Sequence, residues 1–225
     1  MRSPAPPSIV AFGLLFAATA VLAAGDPVRG KDKVTICQAC HGRDGNSVYN
    51  PQWERLTTQD LANQSEQARK FEADPVWAKL AGQDARYLAA QLIDFKTGKR
   101  RDPFMSKLAA DLSDADIFDI AAYYAAQTPR PDTTDQEAGS VQRGEALYKT
   151  GNLAAGVPAC IACHRRRAHG TPTLPRLAGQ YTIYLRKQLW AFKSGERAGS
   201  VMNAIADKLS EADIDDVARY LAGLK

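Results

Sequence analysis

Sulfur and imidazole are scarce in this chain: its 225 residues include four cysteines, three methionines and three histidines. All four cysteines fall in two pentapeptides, which leaves no thiol for a structural disulfide or a further metal site. Long apolar runs are absent beyond the N-terminus. The one there, Ile9 to Ala24, is short of the roughly 20 residues a membrane-spanning helix needs. Neither sign of charge dominates, with 29 basic and 25 acidic side chains and a formal net charge of +4. That balance excludes the basic footprint of a nucleic-acid-binding protein. No acid, base and nucleophile converge near the cysteines, so a catalytic constellation is missing too.

What is present is chemically specific. The pentapeptides are Cys37-Gln38-Ala39-Cys40-His41 and Cys160-Ile161-Ala162-Cys163-His164. CxxCH is the spacing that attaches a c-type haem: two thiols add across the vinyl groups, and the adjacent histidine binds the iron. Zinc and thiol-redox CxxC sites are the competing readings. The motif occurs twice and uses every cysteine, which points to two covalently bound haem c groups. Attachment of such haems takes place outside the bacterial cytoplasm. Arg2, the apolar run and Val21-Leu22-Ala23 accordingly predict a signal peptide over residues 1–23, cleaved after Ala23, and a periplasmic location. An uncleaved N-terminal anchor is the alternative. From Ala24 to Pro131 the chain has 15 basic and 15 acidic residues; from Asp132 to Lys225 it has 13 and 10. The ionised propionates of two haems bring this small excess close to neutrality.

The order of signals predicts helices. Asp26-Pro27 opens one that should run into Cys37–Cys40. Gly42 to Asn46 reads as a turn. A polar insertion, about 47–74, is read as a solvated segment, with a docking element as the alternative; Gln59 to Phe71 could be helical within it, between Trp53 and Trp77. Asp84 caps a helix through Tyr87, Leu88, Leu92 and Phe95 that Gly98 stops. Ser113-Asp114-Ala115-Asp116 begins another, with Asp in the place Glu usually takes in a capping box. Thr128 to Ser140 reads as an interdomain linker. Leu80 to Ala125 then aligns without a gap on Leu177 to Ala222, with 23 of 46 positions identical, Leu-Ala-Gly-Gln among them. The chain is a duplication of one helical unit, an all-α fold with domains at 24–131 and 132–225.

Met105 and Met202 occupy the same register in the two repeats, one methionine per CxxCH. They are the candidate sixth ligands, opposite His41 and His164. Each ligating histidine needs an acceptor for its Nδ1–H, and the carbonyls of Ala78 and Pro175 are placed to supply it. The third histidine, His169, reads as an exposed loop residue in preference to an alternative ligand. Arg165-Arg166-Arg167 reads as a solvated loop, a propionate neutraliser or a docking patch for an acidic partner.

The segments CQACHGRDGN with KLAGQ, GNLAAGVPACIACH with RLAGQ, and the helix starts LSDADI and LSEADI resemble the dihaem cytochromes of the cytochrome c4 family. The resemblance covers nearly the whole mature chain. It implies two tandem class I cytochrome c domains packed face to face. Cys37, Cys40, Cys160 and Cys163 would hold the haems, with His41 and Met105 on one iron and His164 and Met202 on the other. It implies an electron carrier, periplasmic or loosely membrane-associated, cycling Fe(III)/Fe(II) between respiratory-chain donors such as a cytochrome bc complex and a terminal oxidase or reductase. An electron-transfer subunit of a dehydrogenase, such as a flavoprotein oxidising a sulfur compound or an alcohol, is the alternative. A dihaem peroxidase or thiosulfate-oxidising enzyme is the remote one. The chain departs from the family's pattern in its long first-half insertion and in CHRRRAHG, which lacks the glycine usual after CxxCH.

Overall fold

The computed structural model describes residues 25–47, 77–197 and 201–225. The expected signal peptide, Trp53 and nearly all of the polar insertion lie outside the described residues. Among those described, the regular structure is helical, apart from one isolated bridge between Asn152 and Val157.

The first half begins with α1, Pro27–Lys33, capped by Asp26, whose side chain accepts from the Val28 and Arg29 N–H groups. The continuous helix expected from Asp26 into the cysteines does not form. The chain leaves α1 after Lys33, and Gln38–His41 make a separate one-turn helix, α2. Three consecutive β-branched residues, Val34-Thr35-Ile36, disfavour the helix between them, and Val34 is wholly buried instead. Then come α3, Ala85–Lys96, capped by Asp84, and α4, Met105–Ala110. Last is α5, Asp114–Ala125, whose Ser113–Asp116 capping box is complete despite the shorter acid. The second half repeats the series: α6 Ala138–Thr150, a 3-10 turn at Leu153–Ala155, α7 Ile161–His164, α8 Thr182–Ser194, α9 Val201–Asp207 and α10 Glu211–Ala222.

Each half is built on one helix crossing. Helix α1 meets α5 at Gly30, and α6 meets α10 at Gly144. A Cβ at either glycine would run into the backbone carbonyl of Asp119 or Asp216. Those aspartates clamp the crossings. Asp119 accepts from Arg29 Nε at 3.0 Å, Lys33 Nζ at 2.8 Å and the Asp26 N–H at 2.7 Å. Asp216 accepts from Arg143 Nε at 2.6 Å and from the Ser140 hydroxyl. An aromatic changes helix between the halves. In the first, Tyr124 of α5 and Val34 share one buried core; in the second, Tyr148 of α6 is the buried aromatic and Leu221 of α10 the aliphatic. Both hydroxyls reach equivalent carbonyls, those of Gly42 and Arg165.

The halves pack through a pseudo-two-fold set of contacts, the isologous pattern of a symmetric dimer. The Gln83 side chain pairs with the Arg176 N–H and C=O at 2.7 and 3.0 Å; its counterpart Gln180 pairs with those of Lys79 at 2.9 and 3.0 Å. Arg100 donates to Tyr184, Gln188 and Gln91, and Arg197 to Tyr87, Gln91 and Gln188. Each guanidinium also lies over its own half's phenylalanine, Phe95 or Phe192. Lys79 departs from the symmetry: its Nζ donates to the carbonyls of Arg130 and Gly179 and sits 4.2 Å from the Tyr181 ring centroid. Burial lowers its pKa to about 8. The connecting segment is tied down, since the Asp132 N–H donates to Ala222 and its carboxylate accepts from the Thr182 N–H.

Two outcomes follow from the crossings. Gly144→Ala gains up to about 1 kcal/mol of helix propensity but forces a rigid carbonyl aside, an overpacking cost of roughly 1–3 kcal/mol. Net destabilisation is expected in denaturant unfolding of the holoprotein; an unchanged or raised midpoint would show that the crossing tolerates a methyl group. The hydrogen bonds from Arg29, Asp26 and Lys33 hold the Asp119 carboxyl well below the usual carboxylate range. The stability it contributes is therefore complete above the unfolded value of about 3.9 and fades as pH falls below it. Asp119→Asn should be less stable than wild type at pH 7, with the gap narrowing as pH falls below about 4. A gap independent of pH would contradict this.

Candidate haem-binding sites

The two cysteines of each motif span a single helical turn, so residues three apart share a face. Cys37 sits at the start of α2 and His41 at its end; Cys160 and His164 hold the same places on α7. The described residues contain no disulfide. Before haem attachment, burial pushes the Cys37 thiol up, and that of Cys160 up to about 11.

Both histidines are buried, His41 at 7% exposed and His164 at 6%. His41 Nδ1 lies 2.8 Å from the carbonyl oxygen of Ala78, and His164 Nδ1 lies 3.2 Å from that of Pro175. A carbonyl only accepts, so Nδ1 carries the proton in each ring. Burial lowers both pKa values, against the opposing effect of those carbonyls, and keeps the rings neutral at pH 7. Nε2 of each has no hydrogen-bond partner among the described residues. This is the protonation state an iron ligand requires.

In the first half, Cys37, Cys40, His41 and Met105 line one cleft. Its space, open mouth included, is about 680 Å³, and its walls are apolar, Leu92, Leu112 and Ile120 among them. The Trp77 and Phe104 rings meet edge-on at its rim, centroids 6.1 Å apart. Met105 opens α4, and the Asp102 carboxylate accepts its N–H at 2.9 Å. In the second half Met202 lies on α9, the counterpart of α4. Asn203 beside it donates to the carbonyls of Phe192 and Arg197, tying α9 to the end of α8. Cys160, Ile161, Leu189 and Trp190 pack against that half's core. Two thiols, a neutral imidazole and a thioether around an apolar cleft are a donor set that fits haem c.

The Leu-Ala-Gly-Gln repeats brace both sites. The N–H groups of Leu80 and Ala81 donate to the Gly45 carbonyl, those of Leu177 and Ala178 to that of Ala168. The glycines donate to the last helices, Gly82 to Tyr124 and Gly179 to Leu221. The unusual CHRRRAHG loop follows the first half's path even so. Arg165 has φ +70 where Gly42 has +73, and Ala168 has φ +54 where Gly45 has +70. His169 is exposed, with Nε2 3.2 Å from the Lys225 carbonyl oxygen. Arg165, Arg166 and Arg167 are exposed and form no ion pair among the described residues. The residues that sequence reasoning missed are Gln83 and Gln180. Their repetition within Leu-Ala-Gly-Gln was visible; their partners across the interface were not.

Arg165 occupies a backbone region nearly restricted to glycine, at a cost on the order of 1–3 kcal/mol. Arg165→Gly should raise the unfolding free energy by ~1 kcal/mol, seen as a higher denaturant midpoint, once the entropy of the extra glycine is set against the relieved strain. A lower midpoint would show that the arginine side chain compensates for its backbone.

Comparison with known proteins agrees with this geometry. The family model described as Cytochrome c matches residues 28–126 and again 141–225. Cytochrome c4 of Pseudomonas aeruginosa is 39% identical over 208 residues, 90% of each chain. The thiosulfate dehydrogenase electron acceptor of Thiomonas intermedia is 32% identical over 221 residues, 96% of this chain and 88% of that one. Among solved structures, reduced recombinant cytochrome c4 from Pseudomonas stutzeri superposes with a TM-score of 0.73 at 34% identity, covering 90% of this chain and all of that one. With two matched segments, two CxxCH turns and two neutral buried histidines, the chain belongs to the cytochrome c4 family: an electron-transfer protein of two cytochrome c domains with two covalently bound haem c groups.

Proposed function

We propose that this protein is an exported, periplasmic electron carrier working between respiratory-chain donors and a terminal oxidase or reductase. Its signal peptide is cleaved after Ala23, and its haem domains occupy residues 24–131 and 132–225. Cys37 and Cys40 hold one haem and Cys160 and Cys163 the other. His41 with Met105 would hold one iron, and His164 with Met202 the other. The bound haem supplies a one-electron iron couple. The observation that carries this reading is the cleft where His41 and Met105 meet the two thiols of α2. With an imidazole and a thioether both committed, no coordination position remains for a substrate. The chain's work is then to hold the histidine tautomer, exclude water with Leu92, Leu112 and Ile120, and set the potential through ligand and burial. Among the described residues no helix is long and apolar enough to cross a membrane.

A second reading is favoured by two relatives that bear the name thiosulfate dehydrogenase electron acceptor. Here the protein serves as the electron-accepting partner of a dehydrogenase, using the same two sites. Faster reduction of the purified protein by such a dehydrogenase than by a cytochrome bc complex would select it.

The ligand assignment is tested by redox titration with visible and near-infrared detection. Two one-electron steps are expected, each with a methionine–ferric absorption band. Met105→His should lower one step and remove half the band intensity, and Met202→His should do the same to the other, because methionine raises the potential relative to bis-histidine ligation. A variant that leaves both its step and the band untouched removes that methionine from the coordination sphere.

A further inference from the structure

The two hydrogen bonds that fix the histidines do not end within their own domains. The Ala78 carbonyl, which accepts from His41 Nδ1–H at 2.8 Å, shares a planar peptide unit with the Lys79 N–H. That N–H crosses the interface to Gln180 Oε1 at 2.9 Å, and Gln180 Nε2 returns to the Lys79 carbonyl at 3.0 Å. The second half mirrors this. The Pro175 carbonyl stands 3.2 Å from His164 Nδ1, and the Arg176 N–H of the same peptide donates to Gln83 Oε1 at 2.7 Å, with Gln83 Nε2 returning to the Arg176 carbonyl at 3.0 Å. Both glutamines are buried, Gln83 at 7% and Gln180 at 8% exposed.

We infer that Gln83 and Gln180 are reciprocal positioning residues, each controlling the hydrogen bond that orients and polarises the histidine ligand of the opposite domain. The inference rests on His41 and His164 being the iron ligands, as proposed above. The bond to the N–H restrains the plane of the peptide that carries the histidine's carbonyl, and the return bond holds the next peptide, so the residue between them is pinned from both sides. Accepting from the N–H also draws electron density toward the carbonyl oxygen, because hydrogen bonds in a chain polarise one another. A stronger acceptor on Nδ1–H raises the basicity of the imidazole, and a more basic ligand favours oxidised iron. Each domain thus holds the other's potential down, and the tuning exists only while the domains are docked. Docking itself has a separate source in the clusters of Arg100 and Arg197 with the tyrosines and glutamines around them. Loss of one glutamine therefore leaves the interface in place.

The test uses Gln180→Leu and Gln83→Leu in the full holoprotein. Redox titration is read beside the near-infrared bands, and Met105→His serves as the marker for the first domain's step. The expected pattern is crossed: Gln180→Leu raises the first domain's step and leaves the second unmoved, and Gln83→Leu does the reverse. Exchange of the His41 Nδ1 proton, followed by NMR, should quicken in Gln180→Leu alone. If a leucine variant does not fold, Gln180→Asn and Gln83→Asn, which withdraw the amide by one methylene, should give the same crossed pattern. Shifts in the variant's own domain, equal shifts in both, or no shift, with both methionine bands intact, would overturn the inference. Absence of a methionine band from wild type, or a band and potential that Met105→His leaves unchanged, would instead overturn the ligand assignment beneath it.

Discussion

Each half of this molecule depends on the contact of two helices through a residue without a side chain. At Gly30 and Gly144 the backbones of the first and last helices approach so closely that a methyl group would meet a carbonyl. The aspartate that owns that carbonyl, Asp119 or Asp216, is also the acceptor for the arginine one residue before the glycine. Packing and charge therefore fix the same register. From this crossing the chain continues through buried Val34 or Tyr148 toward the cysteine turn. The α1–α5 and α6–α10 pairs thus act as the frame, and the CxxCH turns hang from it.

The second constraint is the need to keep a buried imidazole neutral and singly oriented. A backbone carbonyl does this in both halves, and the Leu-Ala-Gly-Gln segment just beyond it anchors that carbonyl to three things at once: the loop after CxxCH, the last helix, and the other domain. The interface is consequently built from the same short segments that brace the histidines. Near the pseudo-two-fold axis Arg100 and Arg197 use phenol and amide oxygens as acceptors and make no ion pair among the described residues. Burial alone would raise the Tyr184 pKa, but the two guanidiniums outweigh it and lower it. Such a site depends on its geometry, because a desolvated cation loses much when one acceptor is withdrawn.

Much of this was legible in the residues. The paired CxxCH motifs, the repeat at constant offset, the caps at Asp26, Asp84 and Ser113, and the carbonyls of Ala78 and Pro175 are local signals, set by spacing or by immediate neighbours. Two elements were misplaced: the linker expected to reach Ser140 gives way to α6 at Ala138, and α1 was drawn too long. Its start was correct, but its extension into Cys37 overlooked the Val34-Thr35-Ile36 run and the pull of Val34 into the core. The exchange of Tyr124 for Tyr148 was also beyond reach, since it is recognisable only when two hydroxyls are seen at equivalent carbonyls.

The sequence by itself determined the chemistry: how many haems, which thiols, soft donors and imidazoles are available to them, and that one helical unit is used twice. These follow from residue type and short-range spacing, which survive without coordinates. Only the tertiary structure decided the orientations. It showed that Arg165 and Ala168 hold glycine-like conformations in the loop that reaches Leu177, and that the Gln83 and Gln180 side chains bond across to the opposite domain as well as to their own. The reason is physical: hydrogen bonds across an interface join residues about a hundred positions apart, and no local propensity records the direction in which a side chain finds its partner.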